Sequence, residues 1–399
     1  MKSIIDEIID EKVWHEYLIY KKNQKCTTKV EVYDLEKFIA NRDYYDVSLK
    51  IIDEKYTFSY PEKHLINKID SKKKRIIYSY NRTENYILKL ITYLFNKQFD
   101  SKFSDYCYSF RKKYTVKDAV SKLLNSNAKE LYGYKLDISN YFNSINVTIM
   151  LDKFKKFINN DTKLFTCISK LLLNRKVIYN NEIIEEDKGI MAGVPIASFL
   201  ANIYLYDLDE YFRKKKIIYL RYSDDIILFS ELSSINKHIL YVKDYLERNY
   251  LFVNQEKIDY ICPGDKFEFL GFSYNNGIID ISDISKRKIK GKIKRKARKL
   301  RRWMIRKNVS YEKTIKVMIR IFDRKFYMKN NTRELTWSLW YFPIINTSKS
   351  LHEIDLYYQQ YLRYIFTGRF TKKNYNIKYS QLKELGYKPL VNEYYKFRK

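Results

Sequence analysis

The sequence predicts an α/β fold in which helices pack on an antiparallel sheet, and three observations lead to this prediction. First, Leu220 to Ser230 consists of two apolar, β-prone runs on either side of a polar Ser-Asp-Asp tip, which is typical of a buried hairpin. Second, a short strand-like run ends at Asp137 and turns into a helical stretch. Third, helical patterns recur around these strands, most clearly at residues 83–99 and 234–250.

The composition indicates a polyanionic partner. The 399 residues carry 77 Lys and Arg against 47 Asp and Glu, a formal charge of +30, and 45% of the residues are hydrophobic. A core can therefore form, but a surplus this large opposes compaction unless a polyanion is present, so nucleic acid is the leading partner. The length predicts two or three subdomains.

Several other classes of protein are disfavoured. No apolar run approaches the roughly 20 residues of a membrane-spanning helix, so we expect no membrane partner. The N-terminus mixes Asp, Glu and Lys with Ile and is neither a signal nor a transit peptide in pattern. The four cysteines and four histidines are scattered, which disfavours a zinc site or a disulfide framework and predicts a reducing, cytoplasmic location.

The N-terminal part predicts helices around one basic segment. Residues 1–65 form helical pieces with charged faces. A basic cluster at 71–75 then runs into a short β-like segment, and a solvated charge run is its simplest interpretation. Helices follow at 83–99 and 116–124, with Tyr108-Ser109-Phe110-Arg111 before the second.

The middle of the chain predicts two helices at 149–175 and a hairpin at 177–187 that turns at Asn180-Asn181. Lys188 to Pro195 then contains two of the nine glycines within five residues. This concentration suggests that the backbone approaches something closely there. An apolar helix is expected from Ser198 to about Phe212.

After the helix at 234–250, the pattern predicts a strand near Ile258 and a strand pair at 267–274. Residues 286–306 predict an amphipathic helix with a strongly cationic outer face. Its core-facing stripe comprises Ile289, Ile293, Ala297, Leu300 and Trp303 or Met304.

The last hundred residues predict two further helices. A capping box at Ser350-Leu351-His352-Glu353 opens a helix that stops near Gly368. A shorter helix at 380–385 is closed by Gly386.

Asp224 and Asp225 at the hairpin tip are the leading candidates for chemistry. Adjacent like charges repel, which costs free energy unless a cation neutralises them. Because strand residues alternate faces, one aspartate can point at a metal while its neighbour points aside. An ordinary turn is the alternative, since Asp is a common turn residue. The order of the other motifs decides between the two.

An aspartate at a strand end is followed along the chain by a glycine-containing loop and then by the Asp-Asp hairpin. A helix, a lysine-bearing strand, a Phe-Leu-Gly hairpin and a basic helix come next. This order resembles that of the reverse transcriptases. Asp137 matches the first aspartate of their palm, Tyr222-Ser223-Asp224-Asp225 matches the Tyr-x-Asp-Asp box, and Phe269-Leu270-Gly271 matches the primer grip. Lys188 to Asn202 matches the motif that contacts template and nucleotide. The resemblance covers about residues 66–280. It implies a right-hand polymerase with fingers, a ferredoxin-like palm and a helical, basic thumb.

The resemblance also implies three domains. These are an N-terminal helical extension at 1–65, fingers and palm at 66–275 with a fingers insertion at about 149–187, and a thumb with the C-terminal region at 276–399. No internal repeat or low-complexity linker separates them, so we expect the C-terminal region to dock on the rest.

By the same resemblance, the site holds two Mg²⁺ ions, for which Mn²⁺ can substitute. Mg²⁺ prefers carboxylate oxygens and keeps water, so two or three aspartates and substrate phosphate suffice. Asp137 and Asp224 are the implied bridging ligands, Asp225 is more peripheral, and the backbone carbonyl of Ile138 completes one metal. Lys257 matches the lysine proposed to donate a proton to the leaving pyrophosphate, although a surface lysine would have the same pattern.

The implied nucleotide-binding residues lie in three segments. Arg75 and one lysine of the preceding cluster, taken here as Lys73, would hold the triphosphate. Phe142 falls at the steric-gate position, where a ring excludes a ribose 2′-hydroxyl; a core Phe is the alternative. Gly193 belongs to the nucleotide-contacting loop, in which Ala192 stands where the family often has Gln.

Nucleic acid is expected to bind through its phosphates to the cationic outer face of the basic helix. The candidate nucleic-acid-binding residues are Lys290, Lys294, Arg298 and Arg301 on this helix, together with Arg111 earlier in the chain.

The predicted function is RNA-directed DNA polymerisation, in which dNTPs extend a DNA or RNA primer along an RNA template. No endonuclease or RNase H pattern is recognised after residue 280, which disfavours a mobile element. Trp337 to Tyr341 and Leu385-Gly386-Tyr387 resemble bacterial unknown-group enzymes that defend against phage. This narrower resemblance implies a structured non-coding RNA template, with a homo-oligomer or a toxin or effector as further partner. Two alternatives stay open: an intron-maturase-like protein that binds intron RNA, and template-independent or protein-primed synthesis.

Overall fold

The computed structural model describes residues 3–24, 27–67, 74–159, 161–327 and 336–399. The chain divides into two units, the first formed by residues 1–24 and 30–265 and the second by residues 25–29 and 266–399. In the described ranges, no helix is both long enough and apolar enough to cross a membrane.

The first unit combines helices with two sheets. In chain order its elements are α1 (Ile4–Glu7), α2 (Glu11–Asn23), α3 (Lys29–Ala40), α4 (Tyr45–Ile52), β1 (Glu62–Asn67), β2 (Lys74–Ser79), α5 (Arg82–Phe99), α6 (Val116–Leu124), β3 (Tyr132–Asp137), α7 (Tyr141–Ser144), α8 (Val147–Phe157), α9 (Thr162–Leu173), β4 (Lys176–Tyr179), β5 (Glu182–Glu185), α10 (Ala197–Tyr204), α11 (Tyr206–Lys215), β6 (Ile218–Tyr222), β7 (Asp225–Ser230), α12 (Leu232–Arg248) and β8 (Asp259–Ile261). The predicted helices at 83–99, 116–124 and 149–175 are confirmed.

The N-terminal helices group with the first unit. Trp14 of α2 is fully buried, its indole N–H donates to the carbonyl oxygen of Ile8 at 2.8 Å, and its ring stacks on Tyr44. Ser3 donates to the Asp161 carboxylate at 2.7 Å. The helices α1, α2 and α4 also pack against α5 of the same unit.

One sheet has the order β2-β1-β4-β5. Its β4–β5 hairpin turns at Asn180 and Asn181, whose φ angles are 52° and 67°. A type I′ turn requires positive φ at both central residues, and Asn tolerates this conformation well. The hairpin and the turn predicted from the Asn-Asn pair are confirmed.

The central sheet has the order β6-β7-β3-β8, and all its strand pairs are antiparallel. Leu136, Ile226 and Leu228 are fully buried in its middle strands. Gly133 lies opposite Phe229, and a Cβ at this glycine would stand 2.5 Å from the phenyl ring. The missing side chain therefore lets the ring pack flat against β3. The predicted hairpin at 220–230 is confirmed as β6 and β7.

The second unit contains a small sheet and a helical part. Its elements are β9 (Phe267–Phe269), β10 (Phe272–Asn275), β11 (Ile278–Ile281), α13 (Asp283–Arg306), α14 (Tyr311–Phe326), α15 (Trp337–Trp340), α16 (Lys349–Thr367), α17 (Tyr379–Glu384) and α18 (Leu390–Arg398). The basic helix α13 packs on α14 and α16. Ile289, Ile293, Ala297 and Leu300 of the predicted stripe are buried.

Two details differ from the sequence-based expectations. The helix expected at 198–212 is interrupted at Leu205, which separates α10 from α11. The predicted capping box is wrong: Ser350 donates to Asp280 at 2.7 Å, and Glu353 accepts from Lys286. The mixed α/β class and the helix end at Gly368 are confirmed.

Candidate active site

The Ser-Asp-Asp tip is a two-residue turn between β6 and β7. Tyr222 and Asp225 form the last paired positions, so Ser223 and Asp224 make the turn. Ser223 has a φ of 61°, a left-handed conformation that is unfavourable for a residue with a side chain. Backbone strain of this kind is found preferentially at functional sites.

The register of the central sheet brings the predicted aspartates to one end. Asp137 is the direct partner of Asp225 on the neighbouring strand, and directly opposite residues point to the same face. The backbone N–H of Ile138 donates to the carbonyl oxygen of Asp224 at 3.1 Å. The turn that carries Asp224 is therefore bonded to the chain immediately after Asp137.

The carboxylates of this end influence one another. Burial, together with the charges of Asp224 and Asp137, raises the pKa of Asp225 to about 7. Burial and the charge of Asp137 also raise the pKa of Asp224. Lys257 opposes this repulsion, since its ammonium group donates to Asp137 Oδ2 at 2.6 Å. When all three aspartates are ionised, their negative charge exceeds the single positive charge of Lys257.

This donor set fits a hard divalent cation. Within the described part of the chain, no three His, Cys, Asp or Glu side chains are placed to hold a metal ion by themselves. Mg²⁺ does not need such a cage, because it keeps water and takes oxygen ligands from substrate phosphate. The residues that could hold it are Asp137, Asp224 and Asp225, with the carbonyl oxygen of Ile138 as a backbone ligand.

The structure joins the predicted nucleotide-binding segments through the backbone of β2 and the side chain of Asn143. The N–H of Tyr78 in β2 donates to the carbonyl oxygen of Ala192 at 2.8 Å. Asn143 donates to the carbonyl oxygen of Ile76 at 3.3 Å and accepts from the N–H of Ala192 at 3.0 Å. Because Arg75 precedes Ile76 in β2, these bonds connect its strand to the loop of Gly193.

Phe142 is linked to the same loop. Its carbonyl oxygen accepts a hydrogen bond from the N–H of Ile190 at 2.9 Å, and its ring is half-buried. Asn143 follows Phe142 in α7, so one short helix contacts both the loop and β2. Three of the predicted nucleotide-binding residues, Arg75, Phe142 and Gly193, thus lie on directly bonded segments. Lys73 lies outside the described residues.

The close backbone approach predicted for the two glycines is confirmed, and its partner is the protein itself. A Cβ at Gly189 would stand 2.4 Å from the carbonyl oxygen of Phe142. A Cβ at Gly193 would stand 2.9 Å from the carbonyl oxygen of Tyr78, and its φ of 100° also favours glycine. Both glycines therefore allow the loop to pack against α7 and β2.

Arg111 is held by hydrogen bonds within the first unit. Its side chain is buried, its Nε donates to Asp100 at 3.0 Å, and its terminal nitrogens donate to the carbonyl oxygens of Ser104, Cys107 and Asp100. A guanidinium has five N–H groups, and four are used in these bonds. Direct phosphate binding by Arg111 is therefore not favoured, and its contacts instead hold the segment around it.

The predicted primer grip forms a turn in the second unit. Phe269 and Phe272 are paired, and Leu270 and Gly271 between them have φ angles of 51° and 85°. A Cβ at Gly271 would lie 3.3 Å from the hydroxyl oxygens of Ser285 and Tyr341. The turn therefore packs against the start of α13 and the region after α15.

The basic helix α13 contains both paired and exposed cations. Lys290 pairs with Glu353 at 2.5 Å, and Arg301 donates to the carbonyl oxygen of Ile365 at 2.6 Å near the end of α16. Arg298 is exposed and Lys294 is half-exposed. Of the four predicted contacts on this helix, Lys290 and Arg301 thus also have structural partners within the unit.

A buried ion pair behind the hairpin was not predicted from the sequence. Arg221 and Asp209 are both fully buried, and Arg221 Nε donates to Asp209 Oδ1 at 2.8 Å. The same guanidinium donates to Asn202 at 3.2 Å and to the carbonyl oxygen of Ser223 at 3.4 Å. An arginine inside an apolar strand is the only signal the sequence offers, and it does not identify the partner.

Comparison with known proteins identifies the family of the chain. Residues 61–274, more than half of the chain, match the family described as reverse transcriptase (RNA-dependent DNA polymerase). The chain belongs to this family, which confirms the predicted resemblance to the reverse transcriptases. No curated protein matches the chain.

Solved structures that resemble the chain include three of telomerase. Apo telomerase from Candida tropicalis truncated from its C-terminal domain has a TM-score of 0.43 at 15% identity, covering 56% of this chain and 55% of that one. Telomerase from Candida albicans in complex with the TWJ fragment of telomeric RNA has a TM-score of 0.45 at 13% sequence identity. This match covers 87% of this chain and 66% of that one. Apo telomerase from Candida tropicalis has a TM-score of 0.46 at 13% sequence identity, and the match covers 84% of this chain and 69% of that one. The chain spans only 55% of the length of the first of these structures.

Proposed function

We propose that the protein synthesises DNA from dNTPs on an RNA template, with Asp137, Asp224 and Asp225 as ligands of two Mg²⁺ ions. The observation that carries this proposal is the register that pairs Asp137 with Asp225 and bonds Ile138 to the turn of Asp224. Metal ions bound there would stabilise the charge of the attacking and leaving oxygens during phosphoryl transfer.

The surrounding residues have separate tasks in this proposal. Arg75 on β2 binds the triphosphate, and Phe142 lies beside the sugar and excludes a 2′-hydroxyl. Lys257 orients Asp137 through the bond of 2.6 Å and gives a proton to the leaving pyrophosphate. In the second unit, the turn of Phe269, Leu270 and Gly271 contacts the primer.

The cationic face of α13 binds the phosphates of the template–primer duplex. Arg298, Lys299 and Arg302 are exposed on this helix, while its apolar stripe faces α14 and α16. Phosphate contacts of this kind fix the position of a duplex without reading its sequence. The formal charge of +30 supports a polyanionic partner of this type.

The test is primer extension with purified protein. An RNA template with a DNA primer, Mg²⁺ and all four dNTPs should give extension that follows the template sequence. Asp224→Asn should abolish it, while Asp244→Asn, a change to an exposed carboxylate on α12, should not. Extension by Asp224→Asn at the wild-type rate would overturn the proposal. Synthesis without template, or product attached to the protein, would instead favour the template-independent or protein-primed alternative.

The proposed biological role is defence against phage, with a structured non-coding RNA encoded nearby as template. Its support is the resemblance of Trp337 to Tyr341 and of Leu385-Gly386-Tyr387 to unknown-group enzymes. Bacteria carrying the gene with its flanking DNA should plate phage less efficiently, and Asp224→Asn should restore plating. Sequencing the co-purifying nucleic acid should recover one flanking RNA; recovery of an intron RNA would favour the maturase-like alternative.

A further inference from the structure

Phe110 is an exposed aromatic residue in a backbone conformation that bulky side chains rarely adopt. Its φ is 59°, in the left-handed region, and 42% of its surface is exposed. Glycine or asparagine would occupy this conformation with less strain. A residue that served only to bend the chain would not need a phenyl ring there.

The residues on both sides of Phe110 hold it in this conformation. Ser109 is fully buried and its hydroxyl donates to Asn202 at 3.1 Å, while Asn202 donates back to the carbonyl oxygen of Ser109 at 2.9 Å. Arg111 is buried, bonded to Asp100, and its guanidinium lies 3.8 Å from the centre of the Tyr114 ring. Both neighbours of Phe110 are therefore anchored, while its own ring is partly exposed.

The ring of Phe110 meets the ring of Phe142. Their centres are 6.0 Å apart and their planes are inclined at 78°, an edge-to-face arrangement. Tyr141 contacts the Phe142 ring as well, at 5.7 Å, and is itself buried with its hydroxyl bonded to the carbonyl oxygen of Ala201 at 2.6 Å. The ring of Phe142 therefore contacts one buried aromatic residue, Tyr141, and one partly exposed aromatic residue, Phe110.

We propose that Phe110 is a positioning residue for Phe142, and that the two rings together determine how strictly the enzyme selects 2′-deoxynucleoside triphosphates. This inference rests on the proposed function, in which Phe142 lies beside the sugar. Without the edge of Phe110, the half-buried Phe142 ring gains rotamer freedom and can turn away from the sugar. The contact, rather than the stability of the fold, then accounts for the strained conformation of Phe110.

The test compares Phe110→Gly, Phe110→Tyr and Phe142→Ala on one primer–template. The ratio of kcat/KM for an rNTP to that for the matching dNTP is measured together with Tm. Phe110→Gly should raise this ratio about tenfold without lowering Tm, because glycine accepts the positive φ. Phe110→Tyr should keep the wild-type ratio. Phe370→Gly, which removes another exposed ring in the second unit, serves as the matched control and should also keep it.

The outcomes separate this inference from the proposed function. A folded Phe110→Gly with the wild-type ratio, beside a Phe142→Ala with a raised ratio, would overturn the role of Phe110 alone. An active Phe142→Ala with the wild-type ratio would overturn the gate and this inference with it, but leave the polymerase. If Phe110→Gly does not fold, Phe110→Asn gives the same comparison, since asparagine also tolerates a positive φ. A wild-type protein that incorporates no nucleotide would refute the proposed function itself.

Discussion

Lys257 donates to Asp137 at 2.6 Å, and this bond joins the end of β3 to the short turn at Gln255–Lys257. The lysine side chain is still 54% exposed, so its ammonium group is accessible from solvent while it contacts the carboxylate. This position suits two roles: a counter-charge for Asp137, or the proton donor to pyrophosphate.

Lys257→Arg and Lys257→Met distinguish these roles. Arginine keeps the positive charge but does not release its proton, because its pKa exceeds about 12. Loss of general-acid catalysis should therefore lower kcat about 10²-fold in both variants. Single-turnover incorporation at saturating dNTP measures this, with Lys237→Arg on the exposed face of α12 as control. A slow Met variant beside a fast Arg variant would leave only the counter-charge role.

Asp137→Ala and Asp224→Ala should each abolish incorporation while the protein stays folded and bound to RNA. The loss of a metal ligand removes several kcal/mol of transition-state stabilisation, which corresponds to a rate decrease of about 10³-fold or more. Incorporation, RNA affinity and Tm are measured on the same preparations. Rates near the wild type in either variant would show that these carboxylates do not hold the metals.

The raised pKa of Asp225 predicts a pH-dependent loss of stability. The unfolded chain releases this proton near the ordinary value of 3.8, whereas the folded chain releases it near 7. Between these values the folded state binds more protons, so its stability falls as the pH rises and the full penalty is present above pH 7. The shift sets an upper limit of about 4 kcal/mol, and solvent at the partly exposed turn reduces it.

Asp225→Asn removes this carboxylate and should therefore be more stable than the wild type at pH 8 but not at pH 4. Denaturant unfolding of both proteins in a chelating buffer gives the difference in free energy at each pH. Taking the difference between the two proteins cancels the contribution of the other titrating groups. A difference that stays constant from pH 4 to pH 8 would show that Asp225 does not titrate in the way its neighbours require.

Local patterns made the carboxylate end of the sheet predictable. The apolar runs on either side of Asp224 and Asp225 are typical of a short hairpin. The order of the motifs predicted that Asp137 lies beside this hairpin. The buried cations were not predictable in the same way. In the sequence, Arg111 resembles any basic residue before a helix. Only the fold shows that the Asp100 carboxylate and three carbonyl oxygens accept hydrogen bonds from its guanidinium group. A sequence records a charge, but not whether its partner lies in the solvent, on nucleic acid or in the core.

The glycines of the loop illustrate the same limit. Their concentration predicted a close backbone approach, which the packing of Gly189 on Phe142 and of Gly193 on Tyr78 confirms. The surfaces that the two glycines approach belong to β2 and α7. The spacing of residues within the loop does not show that these two elements pack against it. Contacts between segments that are far apart in the sequence could therefore not be predicted.

The exposed and the paired cations of α13 should respond differently to substitution. Replacing Arg298, Lys299 and Arg302 with Gln should weaken duplex binding and flatten the dependence of log K on log salt by about 0.7 to 0.9 per lost phosphate contact. Lys286→Gln is the matched control, because this lysine contacts Glu353 at 3.0 Å within the unit. Filter binding from low to high salt gives the slopes. Equal slopes for wild type and the triple variant would show that this face is only solvated.

Removing one partner of the buried pair of Arg221 and Asp209 should lower the free energy of unfolding strongly. Replacing both partners with apolar residues should lower it much less. Arg221→Met leaves the Asp209 carboxylate without its bidentate partner in a fully buried position, which should lower the free energy of unfolding by about 3–5 kcal/mol. The double variant Arg221→Met with Asp209→Leu removes both charges, so its loss should be smaller than that of either single variant.

Denaturant unfolding of the four proteins of this cycle measures the coupling, and primer extension by the double variant tests what the pair does for the site. Arg221 also donates to the carbonyl oxygen of Ser223, the strained residue of the turn. A double variant that recovers stability should therefore still extend primers more slowly than the wild type, because the turn that carries Asp224 has lost this bond. Additive losses in the two single variants would show that the charges do not depend on each other. Full activity in a stable double variant would limit the pair to a structural role.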